Sequence, residues 1–266
     1  SGSTDFATKP VASLVTNARK TWGDIRNDPA PWYEDCTVTV IDGNKKETLT
    51  NAEAKVKVRG NWTTSYDKKP LRIRFADKQP MLGMNKGQKN KDWVLLNVYK
   101  DWSYCRDITG LYLGNMIAPG YTSDFRIAEI YINDQFWGVY IVTELQEVCD
   151  DRVNITEPKK DYKGTDIGYF VEYDGYAYTE KNNFKIKYGG QLKDINKKTI
   201  KNLPDSYTIK SSINDPAQTK FISDYMNNVW KICYDAAYKK KFQELDSDYK
   251  KLIKSDAANA YDCVSK

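Results

Sequence analysis

Two short segments carry residue types that bind phosphate. The first, Arg59-Gly60-Asn61, follows an alternating strand pattern. Glycine lets the backbone approach a ligand closely, and the arginine guanidinium can donate two parallel hydrogen bonds to phosphate oxygens. The second, Lys68-Lys69-Pro70, opens the next strand pattern, where a lysine can pair with phosphate as a point charge. Spacing alone equally allows a structural role for both segments. The first can be an ordinary glycine turn with a solvated arginine, and the second a solvated strand end.

A pair of carboxylates, Glu172 and Asp174, alternates along a predicted strand, so both side chains should emerge on one face. Carboxylates placed in this way can bind a metal ion or act as acid and base. Glu172 and Asp174 are therefore the candidate metal ligands. The alternative is a pair at the edge of a sheet, with its charge balanced by Lys185 and Lys187.

Composition excludes several mechanisms. The 266 residues include no histidine, which rules out Ser-His-Asp and Cys-His nucleophile systems, HExxH zinc sites and the HRD loop of ordinary kinases. The five cysteines lie far apart without a CxxC pair. Because an odd number cannot pair completely, we expect neither a disulfide framework nor a zinc cluster. The phosphate-binding patterns GxGxxG and GxxxxGK[ST] are also absent.

Charge and hydropathy narrow the possible partners. The net charge is +5, from 41 basic and 36 acidic residues, and the lysines are scattered among acids. Without a basic stripe interleaved with stacking aromatic residues, nucleic-acid binding is not expected. No run approaches the roughly 18 apolar residues that cross a bilayer. The abundance of aromatic residues, including seven tryptophans, suits a protein that binds sugars or flat rings.

The first two thirds of the chain are predicted to be rich in strands. Ala54–Arg59 and Leu71–Phe75 alternate in polarity and should pair through a shared apolar face. Gly138, inside a strand pattern, predicts a bulge or a close backbone approach. Asp101–Ala118 has helical spacing. The remaining predicted strands of this part are Cys36–Asp42, Trp93–Val98, Arg126–Ile132 and Phe136–Val142.

The last third changes in character. A charged, turn-rich stretch from Asp150 to Asp166 predicts a linker or crossover. Two strands are predicted over Gly168–Tyr173 and Asn183–Tyr188. A helix should begin at Asp215-Pro216, with aspartate as the N-cap and proline in the first turn, and a second helix near Asp248.

Read in order, these segments resemble the CotH kinase family, the secreted and spore-coat proteins related to spore-coat protein H. The resemblance spans roughly residues 54 to 190, and the whole chain is expected to follow it. The resemblance rests on the order and spacing of the matching pieces. The matching pieces are Arg59-Gly60-Asn61 with Lys68 to Phe75; Met81-Leu82-Gly83-Met84; Trp93 to Asn97 with Asp101 and Arg106; Ile130 to Asn133 with Gly138 to Tyr140; and Thr143-Glu144 with Arg152.

The resemblance implies an α+β, atypical protein-kinase-like fold. A β-rich N-lobe with one long helix would occupy residues 1–165. The start of a helical C-lobe, incomplete here, would occupy residues 166–266, and the two lobes would form one domain overall.

The resemblance also implies an activity: transfer of the γ-phosphate of ATP, with Mg²⁺, to Ser or Thr of secreted or surface proteins. Such a protein would lie outside the cell or at its surface, the spore coat included. Arg59, Gly60 and Asn61 would take the place of the Gly-rich loop over the phosphates, and Lys69 would pair with phosphate. Glu144 would follow the strand that leads to the adenine-binding hinge, where Tyr169 would stack on the base.

One departure from the family is large. Its catalytic Asp lies in an Asn-x-Asp-type loop and its metal-binding Asp in a later Trp-Asp-x-Asp segment. Both would follow the helix predicted from Asp248, and no such pair follows it in these 266 residues. No catalytic residue is identified, and we expect either a truncated kinase-like protein or a relative without the chemistry. A smaller departure is Asp107, where the family more often has Asn.

A second hypothesis is a non-catalytic module for adhesion or for binding carbohydrate or a protein partner. It draws on the seven tryptophans and on CotH-like proteins that act as surface adhesins or as components of polysaccharide-degrading assemblies such as cellulosomes. A third, weaker hypothesis is a glycosidase that uses Glu172 and Asp174.

Overall fold

The computed structural model describes residues 11–16, 33–60, 62–117, 120–187, 198 and 205–239. The chain forms two compact units, Ser1–Ala118 with Thr122–Gln146, and Pro119–Tyr121 with Glu147–Lys266. The first unit is rich in strands, and the second combines a small sheet with a helix. The architecture is therefore mixed α+β, as predicted. The lobe boundary at residue 165 stays a prediction.

Seven strands of the first unit close into a barrel in the order β1-β2-β3-β4-β5-β7-β6. All neighbours are antiparallel except β1 and β6, whose parallel pairing closes the ring. The strands are β1 (Val11–Thr16), β2 (Glu34–Ile41), β3 (Glu47–Val58), β4 (Leu71–Gln79), β5 (Asn90–Leu96), β6 (Phe125–Ile132) and β7 (Gln135–Glu144). The six strands predicted for this region are confirmed, with somewhat different ends.

Alternation of polarity along the strands builds the core of the barrel. In β4, Leu71, Ile73 and Phe75 are buried, while the intervening Arg72 and Arg74 lie outside. Each buried side chain of this size stabilises the fold by about 1.5–3 kcal/mol. The predicted pairing with β3 is confirmed by the register from Ala54↔Phe75 to Val58↔Leu71.

The hairpin of β6 and β7 has two special backbone positions. Asn133 and Asp134 turn the chain with φ of 48° and 67°, as a tight hairpin turn requires. Gly138 has φ of 108°, and the register shifts between Ile130↔Gly138 and Tyr131↔Phe136. The predicted bulge is confirmed.

Helix α1 (Arg106–Ile117) begins later than predicted. Asp101 is not its first residue, because its carboxylate accepts hydrogen bonds from the backbone N–H of Arg106 at 2.8 Å and of Ser103 at 3.1 Å. An aspartate that binds these backbone donors caps the approach to a helix instead of continuing one. The predicted long helix therefore has 12 residues, and the predicted last residue, Ala118, lies outside the described residues.

The second unit contains a sheet of β8 (Val171–Tyr173), β10 (Ser206–Ile209) and β9 (Asn183–Lys185), in that order, and helix α2 (Pro216–Lys239). Asp215 caps α2 as predicted, since its carboxylate accepts the N–H of Ala217 at 2.9 Å. Strands β8 and β9 are shorter than predicted, and β10 was not predicted. The core between sheet and helix consists of Ile167, Tyr169, Phe184, Ile209, Ile222, Tyr225 and Met226.

Residues 150–166, the predicted linker, contain no helix and no strand longer than one bridge. The helix predicted from Asp248 lies outside the described residues. In the part of the chain that the structure describes, no helix is both long enough and apolar enough to cross a membrane.

Asp92 connects β4 and β5 on the outside of the barrel. Its carboxylate accepts hydrogen bonds from Arg72 Nε at 2.8 Å and Arg74 Nε at 3.0 Å. Burial by itself raises the pKa of Asp92, but the hydrogen bonds and charges of the two arginines outweigh burial and lower it below its ordinary value.

We predict that Asp92 stabilises the fold above about pH 4 and loses this effect in acid. A carboxyl with a lowered folded-state pKa adds stability above its unfolded pKa, near 3.9, and loses it as pH falls through the folded value. Asp92→Asn should unfold more easily at pH 7, by about 1–3 kcal/mol in urea titrations, and should lose less stability than wild type below pH 4. Asp35→Asn, at an exposed acid paired with Lys55 at 3.2 Å, is the control. Identical pH profiles for all three proteins would contradict the prediction.

Candidate functional site

A cavity of about 420 Å³ lies outside the barrel, where β5 and β7 run beside α1. We call it the Arg59 cavity. Every residue that lines it belongs to the first unit. Its lining consists of Arg59, Val94, Leu96, Arg106, Asp107, Gly110, Leu111, Thr143, Glu144, Leu145 and Gln146.

Two of the residues predicted to bind nucleotide, Arg59 and Glu144, line this one cavity. Gly60 follows Arg59 directly, and Asn61 lies outside the described residues. The sequence distance between Arg59 and Glu144 gives no hint of their proximity. The strand register brings them together, because Val58 pairs with Leu71, Leu71 pairs with Leu95, and Glu144 pairs with Trp93, two residues before Leu95.

Lys69 and Tyr169 do not line the Arg59 cavity. Lys69 is 8% exposed, and its ammonium donates a hydrogen bond to the carbonyl of Thr64 at 2.9 Å. Tyr169 belongs to the second unit, where its hydroxyl donates to the carbonyl of Thr165 at 3.1 Å and its ring stacks on Phe221. Their roles toward a nucleotide stay predictions.

The loop between β3 and β4 holds Arg59 in place. The N–H of Arg59 donates to the carbonyl of Pro70 at 3.0 Å, which closes the loop at its base. Gly60 turns the chain with φ of 92°, a value that side chains strongly disfavour. A Cβ at Gly60 would lie 2.2 Å from Thr63 Oγ1. Lys69, through Thr64, ties the far side of the loop to its base.

Glu144 is held by a network that sequence reasoning did not find. It is 1% exposed, and its carboxylate accepts the N–H of Asp124 at 2.9 Å and the Asn85 side-chain amide at 3.4 Å. Asp124 in turn accepts the N–H of Asn85 at 2.9 Å and Arg126 Nη1 at 2.7 Å. Burial raises the pKa of Asp124, but these bonds and the N–H of Phe125 outweigh it and lower the pKa. The end of β7 is thereby fixed to the start of β6.

The turn after Met81 brings Asn85 to this network. Met81 and Met84 are buried in the barrel core, while Asn85 and Lys86 have φ of 46° and 56°. Asparagine tolerates this left-handed backbone better than most residues. The Met81-Leu82-Gly83-Met84 motif was the available signal, and Asn85 is the next residue.

The cavity combines charged groups of both signs with an apolar wall. Arg59 and Arg106 contribute guanidinium groups, Asp107 and Glu144 contribute carboxylates, and Val94, Leu96 and Leu111 contribute the apolar surface. This set of groups can accept an anion that carries a flat or apolar part.

Positive charge extends along the barrel beside Arg59. Burial lowers the pKa of Lys57, and the charges of Arg72, Arg74 and Arg59 lower it further, while the charge of Asp92 opposes them. Asp92 balances part of the charge of Arg72 and Arg74. The positive charge that remains would attract an anion at the Arg59 cavity.

The candidate metal ligands Glu172 and Asp174 lie in the second unit. Glu172 pairs with Lys210 at 2.9 Å, and the Asp174 carboxylate accepts the N–H of Tyr176 at 3.0 Å. The lysine that balances Glu172 is thus not Lys185, because the unpredicted strand β10 lies between β8 and β9. Among the described residues, no three His, Cys, Asp or Glu side chains converge to hold a metal ion. A metal at Glu172 and Asp174 stays a prediction.

The sequence model of a family described as CotH kinase protein matches residues 56–255, which is most of the chain. The matched range includes both Arg59 and Glu144. No curated protein matches the sequence.

Gly60→Ala should destabilise the protein in two ways. Alanine at this φ costs about 1–3 kcal/mol, and its Cβ also displaces Thr63, at a further cost of about 1 kcal/mol or more. Gly87→Ala is the matched control, because Gly87 has φ of 80° but no atom within 4 Å of the added Cβ.

Urea unfolding should therefore rank wild type above Gly87→Ala and Gly87→Ala above Gly60→Ala. Thr63→Ala, combined with Gly60→Ala, should recover the excess loss. Equal losses in the two glycine variants would show that the loop is not packed against Gly60.

Proposed function

The chain belongs to the CotH kinase family, and from this premise we propose that it binds Mg-ATP at the Arg59 cavity as the phosphate donor of a protein kinase reaction. The observation that carries the proposal is the convergence of Arg59, Arg106 and the chain after β7 on one cavity. Positioning and electrostatic stabilisation perform most of phosphoryl transfer, so the absence of histidine from the sequence is no obstacle.

The groups of the cavity fit a nucleotide. Arg59 and Arg106 would hold the triphosphate, since guanidinium groups match phosphate oxygens in geometry and charge. Val94, Leu96 and Leu111 offer an apolar surface for the base. Gly60 would let the backbone approach the phosphates, with Asn61 beside it.

Lys69 enters the proposal in a supporting role. Its ammonium holds the loop through Thr64 at 2.9 Å, and its positive charge would favour an anion beside the loop.

Magnesium fits this arrangement as an ion that arrives with the nucleotide. Mg²⁺ keeps several waters and is usually held by one or two carboxylates together with substrate phosphates. Asp107 is the exposed carboxylate that lines the cavity. The bound ion would neutralise charge on the β- and γ-phosphates.

The substrate of the proposed reaction is Ser or Thr of a secreted or surface protein. Family membership supports this, together with a location outside the cell or at its surface, the spore coat included. The chain itself would supply nucleotide binding and orientation through the residues named above.

Mg-ATP should raise the melting temperature of this chain. Ligand at 100 times its Kd stabilises a protein by about 2.7 kcal/mol. Arg59→Ala should weaken Mg-ATP binding by about tenfold or more, because it removes a charged hydrogen-bonding partner. Lys69→Ala should also reduce the shift, because the loop loses its hydrogen bond to Thr64. Lys78→Ala, at an exposed lysine that does not line the cavity, is the control.

Two results would contradict the proposal. One is a melting temperature that does not respond to Mg-ATP. The other is a response of equal size in wild type, Arg59→Ala and Lys69→Ala.

A second candidate function is a non-catalytic surface module that binds carbohydrate. The loop before α1 presents Trp102 with 96% of its surface exposed, flanked by Tyr99 and Tyr104 at 40% and 47%. Exposed aromatic rings of this kind are common at binding surfaces. This candidate requires retention of wild type on insoluble cellulose, loss of retention in Trp102→Ala, and no response to Mg-ATP.

A further inference from the structure

A second cavity, of about 610 Å³, lies in the first unit and shares no lining residue with the Arg59 cavity. Its wall is largely apolar, with Ile108 of α1, Ile127 of β6, and Phe136 and Ile141 of β7. A volume of this size falls within the roughly 300–1,000 Å³ typical of small-molecule sites. We call it the Lys68 cavity after the cation that lines it.

Lys68 is half-buried beside this apolar wall. Its ammonium lies 4.5 Å from the ring centre of Tyr140 and 5.5 Å from that of Tyr104. It donates a hydrogen bond to the carbonyl of Val139 at 2.5 Å. Lys68 Cε lies beside the bulge at Gly138, 3.4 Å from the position that a Cβ would occupy there.

No acidic side chain among the described residues forms an ion pair with Lys68. Burial lowers the pKa of Lys68, which is the expected response of an ammonium that has lost water without gaining an anion. Its carbonyl and aromatic neighbours use part of a donor capacity of three hydrogens. The groups around Lys68 therefore lack the negative charge that a bound anion would supply.

We propose that the Lys68 cavity binds a small amphipathic carboxylate. Its carboxylate would pair with Lys68, and its apolar body would lie against Ile108, Ile127 and Ile141. A purely apolar ligand fits less well, because it would leave the Lys68 ammonium without an anion. A nucleotide also fits less well, because it would bring several negative charges to one cation. The inference is independent of the function proposed for the Arg59 cavity.

Octanoate and octanol test the proposal as a matched pair, because they share an eight-carbon chain and differ in charge. Calorimetry at pH 7 should show octanoate binding about tenfold or more tighter than octanol, since a charged hydrogen bond contributes that much. Lys68→Met should remove the preference and leave octanol binding unchanged. Lys78→Met, at an exposed lysine, is the control.

Ile127→Glu is a second variant that does not disturb the core, because Ile127 is 41% exposed. It should weaken octanoate binding and affect octanol binding much less, since it places a negative charge beside the carboxylate of octanoate. This variant keeps the test decisive if Lys68→Met does not fold.

Cys105 reports where the ligand binds. It lines the Lys68 cavity and is exposed, so octanoate should slow its alkylation by iodoacetamide, measured on the isolated peptide by mass spectrometry. Alkylation of Cys233, exposed on α2 of the second unit, should not change.

The proposal is overturned if octanoate does not bind or if octanol binds equally well to wild type. It is also overturned if Lys68→Met keeps the preference, or if Mg-ATP and not octanoate protects Cys105.

Discussion

The hydrogen bonds around the buried carboxylate of Glu144 are the constraint on which the candidate site depends. A carboxylate that is 1% exposed is costly unless donors surround it. Asp124 and Asn85 provide such donors from the start of β6 and from the turn after β4. The end of β7 cannot move without breaking these bonds. The segment that follows, which lines the Arg59 cavity, is therefore fixed to the barrel.

The barrel places the Glu144 network and the Arg59 loop at one cavity. Because β3 pairs with β4, β4 with β5 and β5 with β7 in one closed sheet, continuous strand pairing connects the loop at Arg59 to the carboxylate at Glu144. The loop has its own supports at Gly60 and Lys69, and the start of α1 is held by Asp101. Three independently stabilised segments thus surround one cavity.

Polarity patterns predicted most of the barrel because alternation determines which side of a strand enters the core. They missed β10, whose four residues, Ser206–Ile209, are too short and mixed to alternate visibly. They also placed the start of α1 at Asp101, since an aspartate that caps a helix resembles one that begins it. Family resemblance identified Arg59 and Glu144, which line one cavity. Asn85 and Asp124 were missed because their roles arise from contacts distant in sequence.

Hydrogen exchange with and without Mg-ATP, followed by mass spectrometry, would locate the bound nucleotide on the chain. We predict slower exchange at residues 59–70 and 143–146, and unchanged exchange at residues 136–141 of the Lys68 cavity. Protection limited to residues 136–141, or no protection anywhere in the chain, would contradict this prediction.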